Sequence, residues 1–167
     1  MSLEAHRNAS GAPIRCAVIT ISDTRDASTD RGGPRIVEHL ESAQHLVVRR
    51  ELVKDERDQI RAAVLASAED ASVELVITTG GTGIAPRDVT YPVLLELFDS
   101  DIPGFGELFR QLSFAQIGSA TILSRACAGV VRGKVVIALP GSPRAVDLAM
   151  QQIVLPEAGH LVTQSRS

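Results

Sequence analysis

The sequence predicts an α/β domain built on a mainly parallel sheet with crossover helices. From Ile14 onward, short β-branched runs alternate with longer segments of helical period, and this alternation is typical of such a fold. A chain of 167 residues that is 44% apolar and 22% charged can bury a core without disulfides or a structural metal. We find no internal repeat and no linker, so we expect a flexible tail at residues 1–12 and a single domain at residues 13–167.

The first half of the chain contains three predicted strands and two predicted helices. The strands are Arg15–Ile21, Leu46–Val53 and Leu75–Thr79. One helix begins near Pro34, where proline is tolerated in a first turn, and the other spans residues 56–68. Polar residues in the middle of the second strand place it nearer an edge, whereas the continuous apolar run of the third predicts a central, doubly covered position.

The second half is predicted to contain helices, a hairpin and a final helix. Two short helices are expected at residues 92–98 and 106–112, separated by Ile102-Pro103-Gly104. Strands at residues 129–131 and 134–139 flank Arg132-Gly133, a plausible hairpin turn. The segment Pro140-Gly141-Ser142-Pro143 then opens the last helix.

The charge balance and the residue usage exclude several classes of function. Seventeen Lys and Arg against 20 Asp and Glu give a net charge of -3 with no polybasic run, which argues against a nucleic-acid partner. No apolar stretch is long enough to span a membrane, and the first dozen residues lack the apolar centre of a secretory signal. We therefore expect a cytoplasmic protein without a membrane partner. Cys16 and Cys127 are expected to be buried thiols, and the four histidines lack the spacing of a zinc site.

All five aromatic residues lie between Tyr91 and Phe114. This clustering fits a local core, in which the two short helices pack on the sheet. It fits a self-association surface equally well, because an aromatic patch can serve either purpose. The sequence does not separate these alternatives.

Four segments follow the predicted strands at the positions where ligands bind in parallel sheets. These segments are Ser22-Asp23-Thr24, Asp55, Gly80-Gly81-Thr82-Gly83 and Pro140-Gly141-Ser142. Loops and helix N-termini converge outside the carboxyl ends of parallel strands. If the strands are parallel, all four segments share one edge of the sheet.

The glycine turn (residues 80–83) has the composition of a phosphate cradle. Glycine lets the backbone approach a bulky anion, and a following helix supplies free N–H groups. The turn is neither a P-loop, because no Gly-Lys-Ser/Thr follows, nor a Rossmann fingerprint, because Pro86 stands where the third glycine belongs. A tight turn without a ligand remains the alternative. Ser142 likewise either lines a second anion site or only caps the last helix.

Two carboxylates and one guanidinium are candidates for binding a phosphate or the cation that accompanies it. Asp55 and Asp88 suit a Mg²⁺ ion whose shell is completed by substrate oxygens. The alternatives are that Asp55 is the N-cap of a helix and that Asp88 is a turn residue ion-paired with Arg87. Arg125 is either a guanidinium fork for a substrate phosphate or a solvated surface residue.

Several motifs taken together resemble one known family. The motifs are ITISDT (residues 19–24), TTGGTGIAPRDVT (78–90), PGFGELFRQLS (103–113), LSRACAG (123–129) and LPGSP (139–143). In this order and spacing they resemble the molybdopterin-binding family, which includes molybdenum cofactor biosynthesis protein B and the molybdopterin adenylyltransferases. The resemblance implies a three-layer α/β/α fold and assembly as a homotrimer or homohexamer. It also implies binding of molybdopterin, with adenylylation by ATP in the presence of Mg²⁺.

The resemblance also implies roles for individual residues. Asp88 matches the family's catalytic aspartate and Asp55 its acidic residue after the second strand, and both would hold Mg²⁺. The pterin-side serines match Ser113 and Ser124, and the glycine turn matches the phosphate-binding turn. The substrate-binding residues are then Ser22, Asp23, Gly80, Gly81, Thr82, Gly83, Arg87, Ser113, Ser124, Arg125, Pro140, Gly141 and Ser142.

Two departures from the family pattern bear on activity. Thr90 is followed by Tyr91-Pro92, so the acid that often follows there is missing, and Lys54 replaces a common proline before Asp55. Arg87 and Asp88 are retained, which favours activity, although other stretches look closer to the protein B branch. The alternatives are a non-catalytic molybdopterin carrier or assembly protein and, more weakly, a generic nucleotide-binding module. The sequence does not decide between turnover and binding alone, or between a trimer and a hexamer. Nor does it decide which nucleotide is preferred, or whether the pathway ends in a molybdenum or a tungsten cofactor.

Overall fold

The computed structural model describes residues 11–166, and six strands within this range form one sheet. The strands are β1 (Arg15–Ile21), β2 (Leu46–Val53), β3 (Leu75–Thr79), β4 (Ser100–Asp101), β5 (Cys127–Val131) and β6 (Lys134–Leu139). Their order across the sheet is β2-β1-β3-β6-β5-β4. Apart from Gly11 and Ala12, the predicted tail lies outside the described residues.

In the described part of the chain, four helices lie between the strands in the sequence, and two more follow the last strand. They are α1 (Gly32–Ser42), α2 (Arg57–Glu69), α3 (Thr90–Leu97), α4 (Pro103–Ile117), α5 (Pro143–Ala149) and α6 (Leu155–Gln164). A 3₁₀ turn at Gly118–Leu123 follows α4, and a π-helical turn at Met150–Val154 joins α5 to α6. Within residues 11–166 no helix is both long and apolar enough to cross a bilayer.

The sheet is mainly parallel, as predicted. Strand β1 pairs in parallel with β2 and β3, and β3 pairs in parallel with β6. Strand β5 runs antiparallel to both β6 and β4. The expected places of β2 at an edge and β3 in the centre are confirmed, and every residue of β3 is buried. The carboxyl ends of the four parallel strands therefore meet at one edge.

Two apolar cores cover the two faces of the sheet, which confirms the three-layer α/β/α architecture. Side chains alternate between faces along a strand, so Val18 belongs to the core formed with α1, α4, α5 and α6, and Ile19 belongs to the core formed with α2 and α3. Cys16 is fully buried in the first core, and Cys127 is half-buried against the second.

The structure departs from the predicted elements mainly between residues 98 and 117. Helix α4 begins at Pro103 rather than at residue 106 and runs to Ile117, because proline is tolerated in a first turn. The two residues of β4 were not predicted, since a strand this short carries no hydrophobic pattern. It pairs with β5, where Gly129 leaves room for Phe98: a Cβ there would lie 2.4 Å from Cγ of Phe98.

The aromatic cluster divides between the core and the surface. Phe105 and Phe109 lie one helical turn apart, are both buried, and stack with ring centroids 6.4 Å apart. Phe114, later on the same helix, is 60% exposed. Phe105 and Phe109 therefore belong to a local core, and Phe114 is exposed where a self-association surface could form.

Candidate functional site

A cavity of about 980 Å³ lies at the carboxyl edge of the parallel strands. This volume is at the upper end of the range typical of small-molecule sites. All four segments predicted from the strand ends line it, which confirms that they share one edge. The predicted site residues among its walls are Ser22, Asp23, Asp55, Gly80, Gly81, Thr82, Gly83, Arg87, Asp88, Ser113, Ser124, Pro140, Gly141 and Ser142.

The glycine turn (residues 80–83) closes tightly against the sheet. Gly80 has φ of +103° and Gly81 has φ of +64°, a region that side chains other than glycine rarely adopt. A Cβ at Gly80 would also lie 2.1 Å from the carbonyl oxygen of Ile21. The Gly80 N–H donates to the Leu139 carbonyl at 3.0 Å, which ties the turn to the end of β6. The glycine turn is therefore a tight turn that also forms part of the cavity wall.

Asp55 is a buried carboxylate rather than a helix cap. Helix α2 has Glu56 as its N-cap, with no capping side-chain hydrogen bond, so the N-cap alternative for Asp55 is wrong. The Asp55 Oδ1 instead accepts the Val89 N–H at 3.3 Å, from the residue that precedes α3. Burial raises the pKa of Asp55 above its ordinary value, and the negative charges of Asp88 and Asp23 raise it further.

Asp88 folds back on its own loop. Its Oδ2 accepts the Ala85 N–H at 2.9 Å, so it is a turn residue, as one alternative predicted. The predicted ion pair with Arg87 is wrong, because Arg87 reaches other carboxylates. Its Nη2 lies 2.8 Å from Asp23 Oδ2 and 2.9 Å from Glu56 Oε1.

Arg87 therefore bridges the loops that follow three strands. It extends from the segment after β3 to Asp23 after β1 and to Glu56 after β2. The hydrogen bond from Arg87 lowers the pKa of Asp23, which keeps that carboxylate ionised. The guanidinium is 61% exposed, so water screens the ion pairs, and we assign them to positioning the loops rather than to stability.

Arg125 is the one predicted site residue that the structure does not bring into the cavity. Its Nε donates to the Gly83 carbonyl at 2.9 Å, and its Nη2 donates to the Asp88 carbonyl at 2.8 Å. The guanidinium carbon also lies 5.1 Å from the centre of the Tyr91 ring. The residue is half-buried. Arg125 is therefore not a solvated surface residue, and its Nε and Nη2 donate to the loop that carries Asp88.

The far wall of the cavity comes from α4 and the 3₁₀ turn and is largely apolar. Phe109, Ile117 and Leu123 line it, together with Ser113 and Ser124. An apolar wall with a few spaced polar groups suits a planar heterocycle.

The Pro140-Gly141-Ser142 corner closes the cavity beside the glycine turn. A Cβ at Gly141 would lie 3.7 Å from Cα of Gly80, so the corner and the turn are in contact. Ser142 is the N-cap of α5 by position, but its hydroxyl makes no capping hydrogen bond. Plain side-chain capping is therefore not observed.

Sequence reasoning missed part of the cavity near the start of α1. Asp30 is buried there, accepting the Thr20 hydroxyl at 2.7 Å and the Gly33 N–H at 3.1 Å. Gly32 also lines the cavity, and a Cβ on it would lie 2.9 Å from Thr79 Oγ1. An aspartate two residues before a Gly-Gly pair at a helix start was the available signal.

Within residues 11–166, no group of three or more His, Cys, Asp or Glu side chains is arranged to hold a metal ion. A cation at Asp55 and Asp88 would therefore need oxygen ligands from a bound substrate. Mg²⁺ is commonly held in this way, by one or two carboxylates together with phosphate oxygens.

Comparison with known proteins identifies related sequences over nearly the whole chain. The family model described as a probable molybdopterin binding domain matches residues 17–160. The Molybdenum cofactor biosynthesis protein B of Bacillus subtilis (strain 168) is 46% identical over 167 residues, covering 99% of this chain and 98% of the relative. The protein of the same name from Halalkalibacterium halodurans is 47% identical, over 98% of this chain and 97% of the relative.

Solved structures give the same result for the fold. A crystal structure of Molybdenum cofactor biosynthesis protein B superposes with a TM-score of 0.90 at 46% identity, covering 92% of this chain and 96% of that one. The tungsten cofactor synthesizing protein MoaB from Pyrococcus furiosus superposes with a TM-score of 0.84 at 35% identity, covering 93% and 98%.

Proposed function

Because the chain belongs to the molybdopterin-binding family of molybdenum cofactor biosynthesis proteins, we propose that its cavity binds molybdopterin and Mg-ATP and transfers AMP to the pterin. Family membership supports molybdopterin as the ligand. The transfer of AMP and the use of Mg-ATP are the proposal. We place this activity in the cytoplasm, as the sequence predicts.

The observation that carries the proposal is the position of two carboxylates against the glycine turn. A Cβ at Gly81 would lie 2.9 Å from Asp55 Oδ2, and a Cβ at Gly83 would lie 2.7 Å from Asp88 Oδ2. Any larger residue at either position would collide with a carboxylate. The turn that could hold phosphate and the groups that could hold a cation therefore meet in the same cavity, as phosphoryl chemistry requires.

The residues present fit a magnesium ion. The negative charges of Asp88 and Asp23 repel that of Asp55, and this repulsion is part of the reason that the pKa of Asp55 is raised. Carboxylate oxygens are the ligands that Mg²⁺ prefers, and Asp55 and Asp88 would hold it. When bound, the ion would neutralise charge on the phosphoryl group that is transferred.

The proposed reaction is a displacement at the α-phosphorus of ATP. An oxygen of the pterin's terminal phosphate forms the new phosphorus–oxygen bond. The bond from the α-phosphorus to the oxygen that bridges it to the β-phosphate breaks, and pyrophosphate leaves. The chain's own contribution is to position the reactants: backbone N–H groups of the glycine turn orient phosphate, and the wall with Ser113 and Ser124 orients the pterin.

We also propose that the protein assembles as a homotrimer or homohexamer. Four exposed apolar side chains form what we call the apolar surface: Phe114, Ile117, Ile122 and Leu123. They are exposed by 60%, 52%, 76% and 50%, respectively. Large exposed apolar side chains grouped at one place favour a protein interface. Ile117 and Leu123 also line the cavity, so such an interface would border the site.

One observation favours the alternative of a non-catalytic molybdopterin carrier. The guanidinium of Arg87 is paired through Nε and Nη2 with Asp23 and Glu56, so binding of a phosphate there would compete with these pairs. A carrier needs the cavity but not a free arginine beside Asp88. The two functions differ in whether ATP is consumed.

Release of pyrophosphate tests the proposal. The protein is incubated with ATP and Mg²⁺, with and without molybdopterin. We expect release only when molybdopterin is present, and a loss of about two to three orders of magnitude in Asp88→Asn, as for removal of other charge-stabilising groups. Asp58→Asn, an exposed site on α2, is the matched control and keeps full activity. Molybdopterin binding without release would identify a carrier, and ATP binding independent of the pterin would identify a nucleotide-binding module.

A further inference from the structure

One buried hydroxyl beside the site has no use in the fold. Thr90 is fully buried, and its Oγ1 has no hydrogen-bond partner among residues 11–166. Burying a hydroxyl without a partner destabilises a protein, and such groups are uncommon in native structures. Ser67 and Thr78 also have unpartnered hydroxyls, but the position of Thr90 is distinctive.

Thr90 lies directly against the glycine turn. Its N–H donates to the Gly81 carbonyl at 3.3 Å. Its Oγ1 lies 2.1 Å from the point that a Cβ on Gly81 would occupy, so the hydroxyl fills the space that only glycine leaves open. The preceding residue, Val89, donates its N–H to Asp55 Oδ1. The start of α3 is thus in contact with both the turn and the carboxylate.

An unused acceptor lies beside this unused donor. Asp55 Oδ2 lies 2.9 Å from the same point beside Gly81, and its partner atom Oδ1 lies 3.0 Å from it. Oδ1 accepts the Val89 N–H, whereas Oδ2 accepts no hydrogen bond from the described part of the chain. A free O–H and a free carboxylate oxygen therefore flank one small space at Gly81.

We propose that Thr90 is a positioning residue of this site, whose hydroxyl donates a hydrogen bond to Asp55 Oδ2 when the site is occupied. Thr90 does not line the cavity, so it acts through Asp55 and not on the ligand. The hydroxyl destabilises the empty protein and improves binding, because it fixes the carboxylate that faces the ligand. The inference rests on the proposed role of Asp55.

Three variants separate this role from a structural one. Thr90→Val keeps the shape of the side chain and removes the hydroxyl, and Thr90→Ser keeps the hydroxyl. Ser67→Ala removes another unpartnered buried hydroxyl on α2 and serves as the matched control. For each variant, the melting temperature of the empty protein and the dissociation constants for Mg-ATP and molybdopterin are measured.

We expect Thr90→Val to melt at the same temperature as the wild type or higher, because no hydrogen bond is lost in the empty protein. Its affinity for Mg-ATP falls about tenfold or more, as for loss of a hydrogen bond to a charged group. Thr90→Ser retains affinity within about threefold, by the same principle. Ser67→Ala leaves the affinity unchanged. Thr90→Val added to Asp55→Asn causes no further loss, because the two residues act together.

The proposal is overturned if Thr90→Val binds within about twofold of the wild type, which is below the effect of a single hydrogen bond. A melting temperature several degrees lower would also overturn it, since the hydroxyl would then be a partner in the fold. A wild type that does not bind Mg-ATP contradicts the proposed function instead. In that case the affinity of Thr90→Val for molybdopterin tests the positioning role of Thr90. We expect the same loss of affinity, and an unchanged affinity would overturn the role.

Discussion

Arg125 donates two hydrogen bonds to the carbonyl oxygen of Gly83, from Nε and from Nη2. The backbone reinforces the contact, because the Arg125 N–H donates to the Thr82 carbonyl at 3.1 Å. A third side-chain bond reaches the carbonyl of Asp88. The loop before β5 therefore holds the glycine turn and the aspartate loop in place together.

Arg125→Lys should loosen that loop. A lysine cannot donate to two carbonyl groups in the planar geometry of a guanidinium, so we expect about 2 kcal/mol lower stability and weaker ligand binding. Thermal unfolding and a binding titration measure the two effects. Arg61→Lys, in an exposed pair with Glu96, is the control and should change stability by less than about 0.5 kcal/mol. Equal effects at both positions would argue against the bracing role of Arg125.

Gly81→Ala should disable the site. The residue has positive φ, and the added Cβ would lie 2.1 Å from Thr90 Oγ1, so the turn must shift. We expect ligand binding to be lost and the melting temperature to fall. Gly104→Ala is the control, because a Cβ there meets nothing within 4 Å and alanine favours a helix. A Gly81→Ala protein that binds like the wild type would contradict this geometry.

Asp55→Asn should separate stability from function. The pKa of Asp55 is raised in the folded protein, mainly by burial, so the folded state favours its protonated form. The stability contributed by that form is present at low pH and is lost as the pH rises through the folded pKa. At neutral pH the neutral asparagine should therefore melt at the same temperature or higher, while turnover falls about a hundredfold or more. Calorimetry at about pH 3 and about pH 7, on either side of the ordinary aspartate pKa, checks the sign: relative to the variant, the wild type should be less stable at the higher pH.

Substitutions on the apolar surface should change the assembly. Phe114→Glu combined with Ile122→Glu places charges where we propose that subunits meet, which should disrupt a trimer or hexamer. Light scattering after size-exclusion chromatography gives the mass. Leu95→Glu, at a position that is 45% exposed on α3, is the control and should assemble normally. An unchanged mass for the double variant would exclude this surface as the interface.

The two thiols should be unreactive in the folded protein. Burial raises the pKa of Cys16 to about 12, and burial likewise raises that of Cys127 to about 12. Because the thiolate is the reactive form, iodoacetamide at pH 8 should modify both slowly until the protein is unfolded. Mass spectrometry follows the modification, and rapid labelling of native Cys16 would contradict its burial. Unfolding becomes easier above about pH 9, where only the unfolded thiols ionise.

The strands, with the edge place of β2 and the central place of β3, were the most predictable part of the fold. The bounds of β1, β2 and β3 agree with the predicted ones because each combines β-branched residues with a clear stop. The apolar pattern of Leu75–Thr79 also predicted its central position. In contrast, β4 forms only by pairing with β5, which lies about 30 residues later in the sequence, and a local sequence pattern cannot predict such a partner.

The site was predictable as a set of loops but not as a set of contacts. Parallel strands bring their carboxyl ends together, so the sequence was enough to group Asp55, Asp88 and the glycine turn. The partners of Arg87 and Arg125 are long side chains that reach other loops, and their targets are fixed only by tertiary structure. The hydroxyl of Thr90 could not be recognised either, because its lack of a partner is a property of packing.

The fate of the pterin tests the central claim most directly. The protein is incubated with molybdopterin, Mg²⁺ and ATP labelled at the α-phosphate, and the bound pterin is recovered for mass spectrometry. We predict a pterin that carries labelled AMP with the wild type and an unmodified pterin with Asp88→Asn. Recovery of bound but unmodified molybdopterin from the wild type would contradict adenylyl transfer.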